Sequence, residues 1–154
     1  MNKKNIKRLL FVAIAMLVVY VGFFEIQTYL GKEALKATGL KSTELSEALK
    51  QSAQTGRYVL ADMSAIWCPT CRKLDKKIFS DAAVKQTIAE HYVFSRIEYE
   101  TEQGKDFVEK YNIKGFPTIL ILDQDANKVL QLPLTFDPEL FIDYLTDFIE
   151  MKNA

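Results

Sequence analysis

Cys68 and Cys71, the only cysteines in 154 residues, stand three positions apart in Trp67-Cys68-Pro69-Thr70-Cys71. Two thiols at this spacing can close a small disulfide reversibly, and the attacking species is the thiolate. A helix that begins at the first cysteine aims its unpaired amide groups at that sulfur and favours its ionised form. Cys68 is therefore expected to be an exposed nucleophile, and Cys71, one turn inside, the resolving thiol. Attack by Cys68 on a partner disulfide gives a mixed disulfide, which Cys71 then displaces to leave an internal bridge. Pro69 suits the first helical turn, where no amide donor is needed. With Thr70 it sets the redox poise, and because such motifs span roughly −270 to −120 mV, spacing alone leaves the direction of electron flow open. A zinc half-site is the competing use of the pair, but zinc needs about four ligands and the chain offers one further soft ligand, His91. No metal and no other cofactor is expected, since the two sulfurs carry both electrons.

Three further features sit near the pair. Asp62 interrupts the apolar run Tyr58-Val59-Leu60-Ala61-Asp62-Met63. A carboxylate inside a central strand costs several kcal/mol unless paired, so it should be protonated near neutral pH or wetted by the site. It reads as a proton acceptor for Cys71, or else as a strand-end residue that caps the next turn. Gly115-Phe116-Pro117-Thr118 leads into a second apolar strand; proline is tolerated there, with trans the default by pattern. Trp67 reads as a rim or core aromatic, and Arg72 and Lys73 as part of a solvated helix face.

The elements that must hold these residues are legible in outline. Ser42 or Thr43 can cap a helix ending near Gly56, followed by the strand 58–63. After the cysteines, Leu74, Ile78 and Phe79 share one helix side, with Arg72, Lys73, Asp75, Lys76 and Lys77 opposite; Ser80 and Asp81 restart a helix that ends near His91. A strand over 92–99, a short helix over 105–111, and a hairpin of 118–122 with 129–132 follow, joined by the turn 123–128. The last helix carries the clearest start signal, with Asp137 as cap, Pro138 in first position and Glu139 favouring the dipole. This order describes an α/β fold, a mixed central sheet flanked by helices.

Before that domain, residues 1–8 carry Lys3, Lys4, Lys7 and Arg8 without an acid, and Leu9–Phe24 runs sixteen residues without a charge. Such a run reaches about 24 Å as a helix against a hydrocarbon core of about 30 Å, so flanking residues such as Ile6 and Ile26 must join it. Residues 9–29 are expected to be an uncleaved transmembrane signal anchor; a cleaved signal is the alternative, although no small-x-small site follows Phe24. Residues 30–41 read as a tether and 42–152 as the folded domain. The basic cluster should stay cytoplasmic, which places the domain on the outer side of the membrane. From Gly31 onward there are 16 basic and 19 acidic residues, net −3, so nucleic acid binding has no electrostatic footprint. A structural role for one Cys-x-x-Cys bridge is disfavoured because it closes too little chain.

Asp62, Trp67-Cys68-Pro69-Thr70-Cys71 and Gly115-Phe116-Pro117-Thr118, in that order and separation, resemble the thioredoxin superfamily across roughly residues 42–152. Within it, Cys71-Arg72-Lys73-Leu74-Asp75-Lys76-Lys77-Ile78-Phe79-Ser80-Asp81-Ala82-Ala83-Val84 looks most like the C-terminal domain of DsbD-type thiol-disulfide interchange proteins of bacterial envelopes. The resemblance implies a thioredoxin fold with Asp62 as buried acid, Arg96 near a position that partners it, and Trp67 shielding the motif. It also implies a cis Pro117 that blocks metal capture and, with Phe116, presents backbone to an extended substrate. Two departures stand out. The resemblance does not extend to the multi-spanning part of DsbD, so electrons are expected from a separate membrane donor such as a DsbD-like thiol transporter. Leu132-Pro133-Leu134 replaces the glycine usual after the final hairpin.

The resulting expectation is a protein-disulfide reductase, anchored by one helix in the cell inner membrane and facing the periplasm or extracellular side, whose partners are exported proteins with disulfides. A thiol oxidase or isomerase of the same fold is the alternative, as are thiol delivery to apo-cytochromes or copper centres and a protein-binding assembly module in which the cysteines are dispensable.

Overall fold

The computed structural model describes residues 3–153; the first two positions of the basic segment lie outside the described residues. Helix α1 (Lys3–Thr38) is apolar enough to cross a membrane, with a mean hydropathy of 2.5 over its best 18 residues, none of them buried by the rest of the chain. Its 36 residues extend about 54 Å, well beyond a hydrocarbon core of about 30 Å. Residues 30–41, read from the sequence as a tether, are helical for most of their length. The helix runs on through Thr38, and Gly31, Ala34 and Thr38 are buried against the domain.

Helix α2 (Leu45–Thr55) is capped by Glu44, whose carboxylate accepts the Glu47 amide, rather than by Ser42 or Thr43. Those two residues fasten the entering chain to the sheet instead: Ser42 Oγ accepts the Arg96 amide at 2.9 Å, and the Thr43 amide donates to the Phe94 carbonyl at 2.9 Å. Gly56 ends α2 with φ +72°, a conformation open to glycine. Strand β1 (Tyr58–Ser64) then leads to α3 (Pro69–Leu74), which widens into one π-helical turn over Asp75–Phe79. Asp81 caps α4 (Ala82–His91) by accepting the Ala83 and Val84 amides. Strand β2 (Tyr92–Glu98), α5 (Glu102–Tyr111), β3 (Thr118–Leu122), β4 (Lys128–Gln131) and α6 (Pro138–Asn153) complete the order. Asp137 accepts the Glu139 amide at 3.0 Å, so the cap read from the sequence stands.

The sheet has the order β2-β1-β3-β4, with β1 parallel to β2 and antiparallel to β3, and β3 antiparallel to β4. Alternation along β1 sends Leu60 to one face, among Leu74, Ile78, Phe79, Ile121, Phe141 and Phe148, and Val59, Ala61 and Met63 to the other, with Ala48 and Phe107. Both faces are therefore covered by helices, and β1 is buried on both sides. Asp62 shares the Leu60 face, and its register partner on β2 is Arg96.

Candidate active site

Strand β1 ends by delivering Ala65, Ile66 and Trp67 to the start of α3. Cys68 is the N-cap of that helix, and its sulfur accepts the Cys71 amide at 3.2 Å. Both cysteines are free thiols. Cys68 was expected to be exposed but is only 7% accessible, packed with Ala65, Trp67, Tyr99 and Phe116; Cys71 is 1% accessible. The Cys68 thiol also points at the Phe116 carbonyl, 3.9 Å away. The Phe116–Pro117 peptide is cis, where the sequence pattern alone gave trans and the resemblance gave cis.

The two sulfurs differ in proton affinity by more than their spacing suggests. A hydrogen bond from the Cys71 thiol, the Cys71 and Thr70 amides and the charge of Arg96 together bring Cys68 down to about 6, against the cost of burial. The same sulfur–sulfur hydrogen bond holds the proton on Cys71; burial and the negative charges of Cys68 and Asp62 push it further up. One thiol is thus ionised near neutrality while its neighbour stays protonated until the reaction removes its proton.

Beneath the pair lies a buried ion cluster. Arg96 Nη1 donates to Asp62 Oδ2 at 3.2 Å and to Asp75 Oδ1 at 2.7 Å, and Arg96 Nε donates to Glu98 Oε1 at 2.7 Å. Ser64 Oγ donates to the other Asp62 oxygen at 2.9 Å. Asp62 is fully buried, and that burial raises its carboxyl to about 6 although Arg96 pulls the other way. Burial likewise raises Asp75. Burial works against the charge of Arg96, and its three carboxylate partners more than offset it. The bonds of Asp62 run to Ser64 and Arg96 and not to amides of the following turn, which removes the capping alternative. A buried acid titrating near 6 and felt electrostatically by Cys71 is suited to take that thiol's proton.

The surroundings supply a rim. Pro69 and Thr70 are exposed beside Cys68, Phe116 is half-buried and Pro117 is buried. The Trp67 indole N–H donates to Glu100, and its ring meets Phe24 of α1 with centroids 6.1 Å apart. Arg72 is not simply solvated: it donates to Gln27 of α1 at 2.8 Å, while Lys73 lies 4.0 Å over the Phe136 ring. Among the described residues no group of three or more His, Cys, Asp and Glu side chains is placed to hold a metal ion. His91 lies at the far end of α4, 40% exposed.

Sequence reasoning missed Asp75, Ser64, Glu98, Tyr99, Glu100 and the docked part of α1. Asp75 was findable, because it follows Cys71 by four positions and so shares the buried side with Leu74, Ile78 and Phe79. Its charge placed it among the polar residues instead.

A dithiol at a helix start, a buried acid below it and a proline-led strand beside it define the class: a thiol-disulfide exchange domain. Residues 45–149 match the thioredoxin-like domain family, and the chain belongs to that family. Thiol:disulfide interchange protein DsbD of Actinobacillus pleuropneumoniae serotype 5b (strain L20) is 33% identical over 93 residues, 60% of this chain and 16% of that protein. The chain spans between 14 and 26% of the length of the curated relatives it matches. Among solved structures, a thioredoxin from Thermus thermophilus superposes with a TM-score of 0.63 at 24% identity, covering 71% of this chain and 87% of that one. The C-terminal domain of Neisseria meningitidis DsbD in the oxidised form gives 0.52 at 18% identity, covering 70% and 98%. These similarities show the thioredoxin fold.

Proposed function

We propose that this protein is a membrane-anchored reductase of disulfides in exported proteins. The split between the sulfurs, Cys68 ionised at about 6 and Cys71 held protonated, carries the exchange chemistry; a stabilised Cys68 thiolate by itself favours the oxidase alternative, so the reducing direction is supported by the likeness to DsbD. The Cys68 thiolate attacks one sulfur of a partner disulfide, forming a mixed disulfide and expelling the other partner sulfur as a thiolate, which takes a proton from solvent. Asp62, ionised above about pH 6, accepts the Cys71 proton. The Cys71 thiolate then attacks Cys68, expels the second partner sulfur as a thiolate, which takes the proton that Asp62 had accepted, and closes the Cys68–Cys71 disulfide. The partner has gained two electrons and two protons, and a dithiol on a second protein must return the pair to its reduced state. Trp67, Pro69, Thr70, Phe116 and Pro117 form the surface on which an extended partner segment lies.

Likeness to DsbD supports a separate membrane donor for those electrons. The basic residues ahead of the apolar run support a cytoplasmic N-terminus, with the domain on the periplasmic or extracellular side. Expression of Cys71→Ser, together with the reduction potential of the unmodified protein, tests the direction and names the clients. Exported clients should accumulate as mixed disulfides on Cys68, and the unmodified protein should have a reduction potential near the reducing end of the roughly −270 to −120 mV range. A potential of the unmodified protein at the oxidising end, with no disulfide-bearing client captured on Cys68, would make it an oxidase.

A further inference from the structure

Helix α1 does not stop where its uncharged run stops at Phe24. It continues to Thr38, and Phe24, Gln27, Gly31, Ala34 and Thr38, spaced alternately three and four apart, form one stripe against the domain. The Phe24 ring meets Trp67, with centroids 6.1 Å apart, and Gln27 Oε1 accepts Arg72 Nη1 at 2.8 Å. Gly31 lies so close to the carbonyl of Ile66 that a Cβ built on it would sit 1.8 Å from that oxygen. Ala34 and Thr38 are 3% and 1% accessible, and the Thr38 carbonyl accepts Lys85 Nζ at 3.0 Å. The stripe therefore grips the residues on both sides of Cys68, namely Ile66 and Trp67 before it and Arg72 after it.

We propose that this stripe is a rigid coupling that holds Cys68 and Cys71 at the membrane surface, so that the pair is reduced by a dithiol presented at or in the bilayer. The proposal deepens the anchored-exchange assignment above and rests on it. A helix rises 1.5 Å per residue, so the contact from Gln27 to Arg72 lies about 2 Å beyond Ile26, which completes the apolar span, and Trp67, against Phe24, is level with the last apolar turn. Trp67 also has the amphipathic ring that belongs at such an interface. A flexible tether of twelve residues would let the domain wander about 19 Å. The docked helix removes that freedom and raises the effective concentration of the site toward membrane-held partners while lowering its reach to others.

Trp67 is the only tryptophan in the chain, so its emission reports its own position. The full chain, reduced and reconstituted in phosphatidylcholine vesicles, should float with them, and its emission should be quenched at least twofold by a nitroxide on the lipid headgroup. With the chain oxidised in vesicles of the same lipid, a phosphatidylethanolamine carrying a reduced lipoyl group should reduce the Cys68–Cys71 disulfide, oxidising its own dithiol. Gly31→Leu should slow this reaction at least tenfold while leaving reduction by soluble dihydrolipoamide within twofold of the unmodified rate. Loss of the headgroup quenching in Gly31→Leu, together with that selective slowing, supports the coupling. Unquenched Trp67 in an unmodified chain that floats and reacts with dihydrolipoamide overturns the coupling alone, as does a Gly31→Leu chain that reacts equally fast with the lipid dithiol. A chain that stays off the vesicles overturns the anchor, and one inert to dihydrolipoamide overturns the exchange chemistry; either removes the coupling as well.

Discussion

The interior of this domain has two unlike ends. Around Leu60, Ile121, Phe141 and Phe148 the buried side chains are apolar and tightly packed. A few residues along the same strand, burial falls on Asp62 and Ser64, with Asp75 and both cysteines nearby and one guanidinium gathering three carboxylates. Burial at the first end contributes folding free energy through apolar surface removed from water. At the second it raises the energy of charged states, and the return is a set of displaced proton affinities. Stability and reactivity are thus carried by separable parts of one strand.

That separation can be attacked from both sides. Cys68→Ser should cut exchange with a soluble disulfide by at least about a thousandfold while shifting the urea midpoint little. Phe141→Ala should do the reverse, costing about 3–5 kcal/mol in urea unfolding with an unchanged Cys68 reaction rate wherever the domain is still folded. Loss of exchange in folded Phe141→Ala would show that the ends are not independent.

Arg96→Met leaves Asp62 and Asp75 buried without their cation and should cost about 3–5 kcal/mol at pH 8. Near pH 5, where the carboxyls can hold protons, the cost should be markedly smaller, which unfolding curves at the two pH values will resolve. An equal cost at both would mean that packing, not charge, is what Arg96 supplies.

Asp62→Asn makes a smaller and more specific change. The native carboxyl titrates at about 6 and the unfolded one near 3.8, so between those values the native state keeps a proton that the unfolded state has lost. Stability from this group is full below about pH 4 and falls by about 3 kcal/mol as pH rises through 6. In Asp62→Asn the stability profile from pH 4 to pH 8 should be flatter by about that amount. Resolution of a Cys68 mixed disulfide should slow by about a hundredfold, read by quenched-flow release of the partner thiol. Resolution as fast as before would remove Asp62 as proton acceptor.

How much of this was legible in the sequence follows the same division. Local chemistry was readable: Asp81 and Asp137 announce their helices through short side-chain bonds to nearby amides, and the run 58–63 announces a buried strand with an acid in it. Contacts made through absence of a side chain were not. Gly31, Ala34 and Thr38 have too little apolar surface to mark a buried helix face, so the segment read as a tether although its small residues are what allow the close approach to Ile66. Cys68 read as exposed because a helix start is usually open, and its cover comes from Tyr99 and Phe116, remote in sequence. Of the partners of Asp62, Arg96 came from the family resemblance and is borne out, whereas local pattern does not show it, because strand register pairs the two across thirty-four residues of chain.

The claim on which the rest depends is that two sulfurs three residues apart have opposite acidities. Alkylation of the reduced protein by iodoacetamide from pH 4 to pH 9, with each cysteine followed by mass spectrometry, tests it directly. The expected result is modification of Cys68 with a midpoint near pH 6 and a Cys71 that stays unmodified across the range. Similar rates at both cysteines, with a shared midpoint near the ordinary thiol value of about 8.5, would contradict it.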